Sequence, residues 1–451
     1  MLRGLLTWDD DAHAPPPGVW APPVYPEHPW VPPDPSPLPP DADAGLIYPT
    51  DLEYQGCFRV PAYPVRYDFP PKGLGYHAAH DSLVLSGFSD YHGLGEVSIP
   101  TPIAGATTLG ELNRAVEIQP IQDPTEGSWA ALAYGAAINL GGCHVHHERL
   151  IVTAYRHYDA DGTQPFSHWA RSLDLTPRGE YVGPVQLLVT DATETASVHA
   201  GNVSGYLGAI APEWQEAFGG PCFTGQSGIP IVSRTSLGPC VFAFDPDDIG
   251  VKNPVPTTPL LFYPGSHPTL GNYTIKPGEP NPNILFNGTM QIGGVVQPVG
   301  TRAVLFFGVI GVGIYSYGMG TPDPALDGHE VPGEPGVYYA YDPVNPTKGD
   351  HAYPYDARVW AYDAAELALV AAGTRAPWDV VPYAAWTLGS DFYSWLPRLS
   401  GAGYDPDTHR VFVAQTRGDG DAPLIHVYGC GPAAARAARA RTSRARRGVR
   451  R

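Results

Sequence analysis

A spaced repeat constrains this chain more than any other feature. Gly403-Tyr404-Asp405 is followed, after five polar or small residues, by the apolar alternation Val411-Phe412-Val413. The same spacing without a gap links Gly75-Tyr76-His77 to Leu83-Val84-Leu85, and Gly142-Cys143-His144 to Leu150-Ile151-Val152. A second ungapped pair joins Val241-Phe242-Ala243-Phe244-Asp245 and Ile249 to Val359-Trp360-Ala361-Tyr362-Asp363 and Leu367. A recurring unit made of short strands and turns has no core of its own. It must bury its apolar faces against copies of itself, which is the logic of a radial repeat.

The pattern predicts an all-β chain, a single β-propeller of five blades over residues 51–431. Gly and Pro number 52 each, between short apolar runs rich in aromatics, as expected for strands and turns. Charged residues make up only 16%, too few for long solvated helices. The last unit, Ser400 to Cys430, contains three strands, and Tyr54 to Val60 reads as a strand without a partner. The N-terminal strand is therefore expected to complete the last blade and remove its open edge. Asp245-Pro246 and Asp363-Ala364 read as helix N-caps between third and fourth strands. Ile229 to Arg234 reads as the second strand of the third unit, and Gly318 to Asp356 as a long inserted loop.

Residues 1–50 form a Pro-rich arm that favours extended polyproline II, with Trp20, Tyr25 and Trp30 among its prolines. A linker is the competing reading. Residues 432–451 are basic and expected to be a disordered tail. The formal net charge of −18 excludes nucleic acid as a natural partner of the body, since phosphate contacts need clustered Lys and Arg. The opening apolar run is too short for a signal peptide. No stretch reaches the ~18 apolar residues of a membrane helix, so no membrane partner is expected, and the localisation and oligomeric state are left open. Five cysteines without a C-x-x-C read as buried thiols, with Cys57/Cys430 and Cys222/Cys240 as the pairs that could meet.

In a propeller, the second-to-third strand links and the links between blades share one face, where the central funnel opens. Arg156, His157 and Tyr158, Arg234, His92 and Arg417 fall in the first kind of link, and Glu126, His267 and Asp391 in the second. Arg can neutralise a carboxylate, and His or Tyr can move protons. His157, Tyr158 and Glu126 are accordingly the candidate catalytic residues. Arg156, Arg234, His92, His267, Asp391 and Arg417 are the candidate substrate-binding residues. Glu126 with Asp391 or Asp90 could alternatively supply two glycosidase carboxylates. His144-Val145-His146-His147 has metal-ligand types at close spacing, but its last two residues read as a polar turn on the opposite face. No metal and no cofactor is expected.

The G-x-x-Y-D-x-x-x-x-x-V-F-V and V-W-A-Y-D-x-x-x-L units resemble blade motifs of bacterial β-propeller repeat proteins, over residues 54–430. Five-bladed members include glycosidases of the arabinanase and invertase type and sugar-binding lectins. The resemblance implies a carbohydrate, or another small polar ligand, as the partner, and either hydrolysis at the funnel face or a non-catalytic glycan- or protein-binding role. It carries over no catalytic residue. The Arg156, His157 and Tyr158 set by itself suits β-elimination from a polyuronate, with Arg neutralising the carboxylate and His or Tyr moving the protons.

Overall fold

The structure is a computed structural model. It describes residues 44–61, 67, 73–87, 93–133, 138–159, 163–189, 200–227, 235–267, 270–272, 285–388 and 398–431. The candidate residues His92, Arg234 and Asp391, most of the Pro-rich arm and the basic tail lie outside the described residues. So does the expected strand Ile229 to Arg234.

The chain is all-β and forms several sheets. Four antiparallel strands in sequence order, Leu74–His77, Ser82–Ser86, Leu94–Ser98 and Glu117–Gln122, make the first sheet. Ile138–His146, Arg149–Arg156, His168–Ser172 and Tyr181–Val185 make the second. The third contains Tyr206–Ala209, Cys222–Gly225, Val241–Phe244 and Val255–Leu261, with Leu187–Leu188 added parallel to the last of these. The fourth is Gln291–Val296, Ala303–Gly311, Tyr355–Asp363 and Ala384–Thr387. The fifth is Leu399–Asp405, Arg410–Asp419, Ala422–Cys430 and, as its outer strand, Leu52–Arg59.

The N-terminal strand thus pairs with the last unit, as its unpaired apolar sequence required. Cys57 faces His426 and Leu52 faces Cys430 across this ladder, so Cys57 and Cys430 are not cross-strand partners. All five cysteines are free and buried. Contact with the body begins ahead of the strand. Arg302 N donates to Gly45 O, and Tyr383 Oη accepts from Ile47 N and donates to Ile47 O.

The first strand of each sheet lies against the first strand of the next, and that of the fifth lies against that of the first. Glycine permits the approach: a Cβ on Gly142 would stand 2.4 Å from Leu207 N, and one on Gly294 would stand 2.6 Å from Ala402 N. Apolar faces of neighbouring sheets fill the seams. Phe58, Leu83, Phe412 and Ile425 join the fifth and first sheets, and Val84, Leu150, Val152 and Trp169 join the first and second.

Both predicted N-caps form. Asp245 accepts from Asp247 N ahead of the turn Pro246–Asp248, and Asp363 accepts from Ala365 N ahead of the helix Ala364–Ala371. Two expectations are corrected. Cys222–Gly225 occupies the second-strand position of the third sheet, with the helical turn Pro212–Phe218 before it. The Gly318 to Asp356 insertion is not a bare loop. Ser316–Thr321 pairs with Tyr339–Tyr341 and Lys348–His351 in a small sheet, anchored by buried Asp342, which meets His351 Nδ1 at 2.8 Å and accepts from Tyr355 Oη at 2.6 Å.

Candidate functional site

The densest set of titratable groups among the described residues lies where first strands turn into second strands, the face opposite the expected one. In the first sheet His77 pairs with Ser82, Val84 with Glu96, and Glu96 with Gln119. Paired residues point to one face, as do residues two apart on a strand. His77, Ser82, Glu96 and Gln119 are therefore collected on the side facing the second sheet, and His80 folds back over them from the turn. The Glu96 carboxylate has no exposed surface. One oxygen meets His77 Nδ1 at 2.9 Å and His80 Nδ1 at 2.8 Å and accepts from Ser82 Oγ at 2.5 Å, while the other accepts from Gln119 Nε2 at 2.5 Å. Burial alone would raise the pKa of this carboxyl. The hydrogen bonds from Gln119, Ser82, His77 and His80 outweigh it and bring the pKa down to about 2.

Above this cluster a groove of about 830 Å³ runs between the first two sheets. Its walls include Tyr76, His80, Gln119, His147, Glu148 and Asp174. Planar amide, imidazole and carboxylate groups thus meet a phenol ring in one concave space.

The second sheet places another cluster at the equivalent turn. Its first strand runs through His146, and the pairing of His146 with Arg149 leaves His147-Glu148 as a two-residue turn. His147 occupies left-handed backbone, φ 53°. His146 is buried, its Nδ1 3.8 Å from Cys222 Sγ and its Nε2 3.7 Å from Asp247 Oδ1. His147 Nδ1 is 3.7 Å from Asp247 Oδ2. Arg149 donates to the carbonyls of Pro246 and Ile249, fastening the Asp247 turn to this hairpin. Burial pushes the Cys222 thiol well up, and the carboxylates of Asp245 and Asp247 push it further. A third polar seam joins the fifth and first sheets, where Arg410 Nη2 donates to Asp81 at 2.7 Å and to Asp405 at 2.9 Å.

Of the residues singled out in the sequence that the structure describes, His157, Arg156, Glu126 and His267 each have local partners. His157 and Tyr158 are exposed at the end of the second sheet's second strand, and His157 Nδ1 meets Asn139 Nδ2 at 3.1 Å. Arg156 Nη1 donates to Asp159 at 3.1 Å and to Thr163 at 2.8 Å within the same hairpin. Glu126 accepts from the backbone N–H groups of Arg178 and Gly179, which ties the link between the first two sheets to the second sheet's outer turn. His267 Nε2 bonds Trp378 O at 3.0 Å, with its ring edge-on to Tyr263. Arg417 sits in the last sheet's second strand with φ 55°, beside Asp419, which holds Arg59 at 2.6 Å. The Glu96 cluster was not singled out in the sequence. Its legible signal is His77-Ala-Ala-His80, which spaces two imidazoles across one turn.

No family model and no curated protein matches the chain. Solved structures give weak likenesses. A glycosyl hydrolase from Bacteroides ovatus aligns at 9% identity over 83% of this chain and 94% of that one, with a TM-score of 0.34. A putative oxidoreductase (glucose dehydrogenase) from Thermus thermophilus aligns at 12% identity over 81% and 98%, TM-score 0.27. Raptor from Chaetomium thermophilum aligns at 9% identity over 84% of this chain and 29% of that one, TM-score 0.27. At such TM-scores none of these likenesses bears on activity.

Proposed function

We propose that the five sheets are the blades of a five-bladed β-propeller, and that the protein binds a carbohydrate or a similar small polyhydroxylated ligand in the groove between the first two blades. The blade reading is supported by the order of contacts, each first strand against the next and the last against the first, and by the outer strand that the N-terminus lends to the final sheet. The ligand reading is carried by the groove. Its volume, about 830 Å³, falls within the few hundred to roughly 1,000 Å³ usual for small-molecule sites. Its walls offer donors and acceptors at several angles, as a ring of hydroxyl groups requires. Glu96 beneath the groove is engaged by four side chains and ionised down to about pH 2, so it supports the groove and does not serve as its general acid. A general acid needs a pKa close to working pH.

A second reading places hydrolysis or β-elimination at the opposite strand ends, with His157, Tyr158 and Glu126 as the reacting groups and Arg156, Arg234, His92, His267, Asp391 and Arg417 as the binding groups. The exposure of Tyr158, 62%, beside exposed His157 favours it. The bonds of Arg156 to Asp159 and of Glu126 to backbone N–H groups count against it, since both side chains are already engaged.

The test is calorimetric titration of the full chain with a panel of neutral and uronic oligosaccharides. His80→Ala with Glu148→Ala should weaken binding about tenfold or more, the equivalent of one or two hydrogen bonds. Binding unaffected by that pair but abolished by His157→Ala would overturn the groove reading. Release of reducing ends or of unsaturated uronate would favour the second.

A further inference from the structure

We propose that His146, His147 and Asp247 form a binding site for a divalent transition-metal cation of the zinc class, at the seam between the second and third sheets. The proposal is independent of what the groove binds. Two imidazoles and one carboxylate suit borderline cations such as zinc and cobalt, and these three residues bring one donor atom each within 4.8 Å of one another.

The distances separate this cluster from the neighbouring one. In the first sheet the Glu96 oxygen lies 2.8 and 2.9 Å from the two histidine nitrogens, which are hydrogen-bond lengths. Those groups satisfy one another through hydrogen bonds, without an ion. In the second sheet both histidine-to-Asp247 distances are 3.7 Å, too long for hydrogen bonds. Two ligands held about 2.0–2.1 Å from one tetrahedral cation stand roughly 3.4 Å apart, so each histidine-to-Asp247 distance, one to either carboxylate oxygen, lies within a few tenths of an ångström of that spacing.

An independent observation is that His146 is 8% exposed and its Nε2 has no hydrogen-bond partner. A buried, unsatisfied nitrogen of this kind costs on the order of 1–3 kcal/mol, and coordination would supply its missing partner. The tautomer with the proton on Nδ1, shared with Cys222 Sγ at 3.8 Å, turns the Nε2 lone pair towards Asp247. Cys222 and Arg149 act as positioning residues. One orients the His146 ring, and the other holds the turn that carries Asp247. The side chains of His147 and Asp247 are 73% and 55% exposed, so the cation would be reachable from solvent and could retain water.

The experiment uses the untagged full chain, stripped with chelator and titrated with Co²⁺. Visible absorption reports the coordination, and Zn²⁺ competition reports the affinity. One Co²⁺ per chain is expected, displaced by Zn²⁺. Loss of a ligand should weaken binding about 100-fold, at or beyond the upper end for outer-shell partners, in both His146→Ala and Asp247→Asn. Asp247 is exposed, so its variant keeps the test valid if the buried substitution fails to fold. Absence of stoichiometric binding, or survival of binding in Asp247→Asn, would overturn the assignment.

Discussion

The hairpin turns of the first and second sheets stand side by side, and each bears histidines beside a carboxylate, yet they solve different problems. In the first, a fully buried Glu96 collects His77, His80, Ser82 and Gln119 at hydrogen-bond distance. In the second, Asp247 remains at the surface and stands 3.7 Å from each histidine, and the buried His146 Nε2 lacks a partner. Similar residue types therefore make a closed structural knot in one seam and an open donor set in the next. The difference arises from which sheet supplies the carboxylate. Glu96 comes from the third strand of the same sheet, so ladder register fixes its distance from the histidines. Asp247 arrives from the neighbouring sheet, on a turn held through Arg149.

If the first cluster is a closed knot, opening it should be the most damaging of these changes. Glu96→Ala removes the acceptor shared by His77, His80, Ser82 and Gln119 and leaves the buried His77 and Ser82 without that partner. Breaking a buried, charge-assisted network of this kind costs about 3–5 kcal/mol. Chemical denaturation should show the midpoint falling sharply. A loss below about 1 kcal/mol would mean that the groups find other partners and that the two clusters do not differ as described.

The same knot should govern the response to acid. The ordinary carboxyl value of 4.5 is lowered to about 2 in the folded protein. Since folding makes Glu96 the stronger acid, its contribution is fully present above about pH 4.5 and is lost as pH falls towards 2. At 1.36 kcal/mol per unit the loss is on the order of 3 kcal/mol. Glu96→Gln should be less stable at neutral pH and should show a flatter dependence between pH 5 and 2, read from denaturation midpoints across that range. Parallel curves for the two proteins would place the acid-sensitive group elsewhere.

Much of the fold was legible in the sequence because it depends on local periodicity. The alternation Val411-Phe412-Val413, the matching runs at Leu83 and Leu150 and the caps at Asp245 and Asp363 each specify an element through neighbours in the chain. Tyr54 to Val60 was legible through what it lacked, a partner within its own unit. The third sheet was read less well. Ile229 to Arg234 has the stronger β-propensity, while Cys222–Gly225, short and half polar, takes the second position because it packs between Tyr206–Ala209 and Val241–Phe244. The site was legible only in pieces. His144, His146 and His147 are adjacent in sequence, but spacing alone cannot tell that the ladder extends through His146, which buries its ring instead of leaving it in a turn. Glu96 lies in a strand whose other faces are apolar, and its partners come from four positions between residues 77 and 119. Nor does any local pattern announce that Asp247 from the next sheet will stand over the second hairpin.

The smallest effect should come from the residue that the open cluster leaves unsatisfied. His146→Leu, measured in chelator so that bound metal does not contribute, replaces an imidazole whose Nε2 has no hydrogen bond with an apolar side chain of similar bulk. The substitution forfeits the long contact with Cys222 Sγ at 3.8 Å and relieves the cost of a buried polar atom without a hydrogen bond. These two effects oppose each other, and replacing a poorly satisfied buried polar group by an apolar one is often close to neutral. Stability should change by less than about 1 kcal/mol, in either direction, against the several lost in Glu96→Ala. With Zn²⁺ present the order changes: the unsubstituted protein gains stability in proportion to the logarithm of free metal over its dissociation constant, and His146→Leu does not. A large destabilisation of His146→Leu in chelator would show that His146 is held as firmly as Glu96, and that the second hairpin is a closed knot like the first.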